Sequence, residues 1–134
     1  MKKAATHSKS KAELKKNLQN LRDRAVCIIT ARSGEAQGLA EALGIDHNIL
    51  KGHAVWDVDN GFSFYLGSFD LEESHLDYYI TSGRHMGVQS FAIDCGLLMH
   101  ILRPRFIVHA GVCAGFKDNE STPLIKLVSC VLLS

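Results

Sequence analysis

The sequence lacks most of the features that place a chain in a specialised class. No run approaches the ~20 consecutive apolar residues that a membrane helix requires, and no apolar core of a secretory signal follows the basic opening MKKAATHSKSKAELKKNLQNLRDR. Four cysteines (Cys27, Cys95, Cys113 and Cys130) show no CxxC spacing, and three of them sit inside apolar segments. They read as reduced, buried thiols of a cytoplasmic protein, not as a disulfide framework or zinc site. Residues His47, His53, His75, His85, His100 and His109 are scattered, with neither HxxxH nor HExxH among them, so no metal and no cofactor is expected. Basic residues without interleaved aromatics argue against a nucleic-acid surface. No internal repeat or low-complexity segment is present.

What remains is an ordinary globular composition. At 134 residues and 46% hydrophobic, the chain is the size of one α/β domain and can bury roughly two-thirds of its unfolded surface. The net charge of +1 conceals an asymmetry: residues 1–24 carry eight Lys/Arg against Glu13 and Asp23, a local +6, which leaves the rest near −5. That segment reads as a basic helical arm or linker, with Leu14, Leu18 and Leu21 forming one apolar stripe at helical spacing.

Past the arm, AVCIITA (25–31) has the β-branched character of a buried strand. RSGEAQGLAEALG then predicts a helix with Ser33 as N-cap and Gly44 closing its C-terminus. HAVWDVDNGFSFYLGSF predicts a hairpin turning at Asp59-Asn60-Gly61. LDYYITS (76–82) predicts a strand, and VQSFAIDCGLLMHIL a helix stopped by Pro104. RFIVHAG and IKLVSCVLLS complete the set as strands. This order predicts a mixed sheet with helices packed on it.

In open α/β sheets ligands bind beyond the carboxyl ends of the strands. Three loops leave strands in that direction: TARSGE, SGRHMG and GVCAGF. Each offers glycines or small residues whose backbone N–H groups can approach a ligand, although any one of them is also an ordinary tight turn. Together they predict one pocket walled by rigidly held loops.

The segment MGVQSFAIDCGLLMHILRPRFIVHAGVCAGF resembles the central part of the purine nucleoside and uridine phosphorylase superfamily. That superfamily includes the nucleosidases of methylthioadenosine and adenosylhomocysteine. TARSGE resembles its first loop, where an acidic residue follows strand one. The resemblance spans residues 25–134 and lies within the family's amino-terminal half. It implies a three-layer α/β sandwich with a mixed central sheet, in truncated form, and action on the N-glycosidic bond of a purine nucleoside. It further implies that Glu35 activates the attacking water; the other reading of Glu35 is a first-turn residue favoured by the helix dipole. The substrate cradle would be Arg84, His85, Met86, Gly87 and Ser90, with Gly111, Val112, Cys113, Ala114 and Gly115 opposite. Ser90 also reads as a normal early-helix residue.

Two departures bear on the chemistry. His109 stands where hexameric phosphorylases place a phosphate-holding arginine, and histidine does not supply arginine's permanent bidentate charge. Hydrolysis is therefore expected over phosphorolysis. Val128-Ser129 replaces the family's Gly-Asp, and the residues that recognise and protonate the base belong to a second half this sequence does not contain. The alternatives are a non-catalytic nucleoside-binding or assembly module, completed by a second copy or a fused partner, and an inactive half-domain.

Overall fold

The computed structural model describes residues 10–52, 55, 61–113 and 126–127, with backbone alone at 112, 113, 126 and 127. Among the described residues there are three helices: α1 (Lys11–Asp23), α2 (Ser33–Ala42) and α3 (Val88–Leu102). The strands are β1 (Val26–Thr30), β2 (Ile49–Lys51), β3 (Ser63–Leu71), β4 (Ser74–Ser82), β5 (Phe106–His109), β6 (Val112–Cys113) and β7 (Lys126–Leu127). Five of them form an open mixed sheet in the order β2-β3-β4-β1-β5. β1 runs parallel to both β4 and β5, and β3 is antiparallel to β2 and β4. β6 and β7 make a separate antiparallel pair.

Alternation along the strands sorts the core into two faces. Cys27, Ile29, Phe64, Leu66 and Tyr79 pack with Leu21, Leu98 and Leu102, from α1 and α3. Val26, Tyr65, Tyr78 and Ile80 pack with Ala36 and Ala40 of α2 on the other side. The architecture is thus α/β in three layers. No described helix is long and apolar enough to cross a membrane.

Local sequence explains where the helices begin and end. Ser10 caps α1, its Oγ accepting from the Glu13 N–H at 3.2 Å. Gly44, at φ +72°, ends α2 in a Schellman motif: the Gly44 N–H donates to Glu41 O at 3.0 Å and the Ile45 N–H to Ala40 O at 2.9 Å. α3 stops at Arg103, which is left-handed at φ 50°, and Pro104 follows.

One expectation needs correction. The N-cap of α2 is Arg32, not Ser33, because the Glu35 carboxylate reaches back to accept from the Arg32 N–H at 3.1 Å. Beside β3 the structure places a strand that was not expected, at residues 49–51; most of the first run of the expected hairpin (53, 54 and 56–58) and its turn residues Asp59 and Asn60 lie outside the described residues. Residues 11–23, the described helix of the basic segment, pack on the core. Leu21 is fully buried, Arg22 Nε donates to Ile101 O at 2.8 Å, and Arg24 Nη1 donates to Gly67 O at 2.8 Å and Tyr78 O at 3.0 Å. These bonds tie α1 to α3 and to the sheet.

Candidate functional site

Parallel pairing puts the carboxyl ends of β1, β4 and β5 on one rim. Thr30 is in register with Ser82, and Ile29 with His109. The ladder continues one step into the loops, since the Gly83 N–H donates to Thr30 O at 3.1 Å and the Ala110 N–H to Ile29 O at 2.9 Å. The loops after residues 30, 82 and 109 therefore leave the sheet side by side.

Three adjoining clefts open between them. The first, about 530 Å³, is lined by residues 31–35 and 83–86. The second, about 360 Å³, shares Arg32, His85 and Met86 with the first and adds Val88, Phe91 and His109. The third, about 260 Å³, is walled by Glu35, Leu39, Ala110 and Gly111. Glu35 faces both the first and third clefts, and among the described residues lining the three it is the only carboxylate. Its position follows from α2: as the third helical residue it is half-buried, with Oε2 held by the Arg32 N–H.

The loop from Gly83 to Gly87 is anchored at its root and open at its tip. A Cβ on Gly83 would lie 3.0 Å from the Phe91 ring and 3.4 Å from Ala31 O, so a larger residue would fit between α3 and the β1 loop only if the Phe91 ring gave way slightly. Arg84, expected in the substrate cradle, is drawn to Asp94. Its N–H and Nε donate to the Asp94 carboxylate at 2.7 and 2.8 Å, and Nη2 lies 2.7 Å from Oδ1. Its guanidinium also covers the Phe62 ring, 4.8 Å from the centroid. His85 and Met86 are exposed, Met86 by 74%. Gly87, at φ +108°, makes the turn into α3.

The structure brings together Glu35, Arg84, His85, Met86, Gly87 and Gly111 around these clefts. Ser90 lies half-buried on the first turn of α3 and lines none of the three. Val112 and Cys113 are described only as backbone of β6, and Ala114 and Gly115 lie outside the described residues.

Phe91, Asp94 and the contact position of His109 escape a sequence reading. Asp94 had one signal, a lone acid in an otherwise apolar helix. The His109 ring lies 5.3 Å from that of Phe91, and its buried Nε2 has no hydrogen-bond partner among the described residues. Such an unsatisfied group typically costs ~1–3 kcal/mol.

The described thiols are held in their protonated form. Burial pushes Cys27 up to about 12, and burial together with the Asp94 charge raises Cys95, so both are protonated at neutral pH. His75 is raised by hydrogen bonds to Asp70 and Asp77, but it sits on the exposed β3–β4 hairpin. Compared with protein-family models, curated proteins and solved structures, the chain matches none of them.

Proposed function

We propose that the clefts at this rim bind a purine nucleoside and that the chain hydrolyses its N-glycosidic bond, with Glu35 as general base. The observation that carries this reading is the position of Glu35, in a wall common to two clefts and beside the loop that bears His85 and Met86. One carboxylate oxygen is oriented by the Arg32 N–H. The other can take a proton from a water that attacks the ribosyl carbon as the bond to the base breaks. Water suits the site better than phosphate, because Arg84 is committed to Asp94 and His109 supplies no permanent charge.

A second reading, a nucleoside-binding module without catalysis, is favoured by a different feature. Glu35 already caps its own helix, and no second carboxylate among the described lining residues can protonate the departing base.

Purine release from methylthioadenosine, adenosylhomocysteine, adenosine and inosine, with and without phosphate, separates the two. Glu35→Gln retains an amide oxygen for the Arg32 N–H and so keeps the cap, but it cannot accept the proton. Release by the wild type, independent of phosphate and reduced about 10²–10⁴-fold in Glu35→Gln at unchanged melting temperature, is the expected result. Nucleoside binding without release selects the module. Neither release nor binding by a folded protein ends both readings.

A further inference from the structure

Asp94 is 1% exposed, on the inward face of an apolar helix. A buried carboxylate must be paired, and its bonds among the described residues all go to Arg84. They engage that residue twice. Oδ2 accepts from the backbone N–H and Oδ1 from the guanidinium, so both the path of the chain and the direction of the side chain are fixed. Phe62 closes over the guanidinium, and at Gly83, one residue earlier, a Cβ would come within 3.0 Å of the Phe91 ring.

Stability alone does not explain a charge placed there. Breaking a buried ion pair is destabilising, but replacing the whole pair with apolar side chains of similar volume is often neutral or better. What the pair supplies is geometry: directional, charge-assisted bonds to a single loop residue. Immediately beyond that residue the side chains carry no packing of this kind. His85 and Met86 project at the rim, where each lines both the first and second clefts.

We infer that Asp94 is a positioning residue of this site: through Arg84 it clamps loop 83–87 and holds His85 and Met86 in place before a ligand arrives. The inference rests on the proposed reading only in taking the ligand to be a nucleoside. A preformed wall spares the ligand the entropy of ordering the loop, so loss of the clamp weakens binding without removing any contact atom.

Hydrogen–deuterium exchange on the full chain, with calorimetric titration of adenosine, tests this. Asp94→Asn keeps the shape and an acceptor for the Arg84 N–H but removes the charge; Arg84→Gln cuts the same clamp from the other side, at a half-buried position that folding tolerates better. In both variants exchange at residues 84–87 is expected to rise about tenfold or more, while β1 and β4 stay within about twofold of wild type. Adenosine is expected to bind about tenfold more weakly. Unchanged loop exchange would overturn the inference. So would exchange rising alike through β1 and β4 in both variants, which would make Asp94 a core residue and nothing more. If the wild type binds no adenosine, the nucleoside reading falls, and the exchange pattern still decides the clamp.

Discussion

Gly67→Ala sets two effects of opposite sign against each other. Within a strand, alanine is ordinarily preferred to glycine by roughly 0.5–1 kcal/mol, because glycine loses more backbone freedom on folding. At Gly67 the added Cβ would lie 2.5 Å from both Cζ and the hydroxyl oxygen of Tyr78, and 2.9 Å from Cε2. Tyr78 is the cross-strand partner of Gly67, and its ring cannot easily withdraw. It is 1% exposed, stacked on Phe69 at 4.5 Å, and packed in the cluster that holds Ala36 and Ala40. The backbone is equally constrained, since Arg24 bridges the carbonyls of Gly67 and Tyr78. Overpacking of this kind typically costs ~1–3 kcal/mol. Less the intrinsic gain, the expected net loss is about 1 kcal/mol and at most roughly 2.5 kcal/mol. Urea unfolding followed by far-ultraviolet circular dichroism should show a lower midpoint at unchanged slope. In a Tyr78→Val background the ring is gone, so the same substitution should be neutral or stabilising. Gly67→Ala as stable as wild type, or equally harmful in both backgrounds, would refute the steric account.

Leu21→Ala should lower stability by about 2–5 kcal/mol, because a fully buried side chain from α1 leaves a cavity between the helix and the sheet; unchanged unfolding would show that residues 11–23 are independent of the core. Stability should also fall in alkali. Cys27, raised from 9.0 to about 12 by burial, and Tyr79, raised by burial from 10.0, are both held protonated in the fold. Their contribution is complete below about pH 9 and is lost as pH rises toward the native values, because the unfolded chain ionises first. Melting temperatures measured from pH 7 to 11 should decline above 9, with Cys27→Ala flattening the onset; a flat profile in the wild type would contradict the burial of both groups.

The elements that repeated patterning specifies were legible in the sequence. α3 spans the residues its apolar spacing and Pro104 delimit, and Gly44 closes α2 as its position implies. The shared rim of β1, β4 and β5 also followed, because helices between strands permit parallel pairing and parallel strands share a carboxyl end. β2 did not follow: three residues at a sheet edge, two of them exposed, are too few to carry an alternating pattern. The cap of α2 shifted by one residue because Glu35, three positions on, supplies the bond that a serine would otherwise make.

The same distinction runs through the site. Glu35, His85 and Met86 were visible as residue types on exposed loops, and the structure brings them to the clefts. What fixes their geometry was not visible, because it depends on contacts between elements. Asp94 meets Arg84 across ten residues only because α3 turns that side chain inward under the loop. The resemblance places Arg84 in the substrate cradle; in the fold its charge is half-covered by Phe62 and Asp94 and acts on the chain itself. A charged residue in a ligand loop therefore has two physical destinations, the ligand or the scaffold. A buried counter-charge on the neighbouring helix decides for the scaffold at Arg84, and leaves the exposed Arg32 as the arginine lining the first two clefts without a described ion pair.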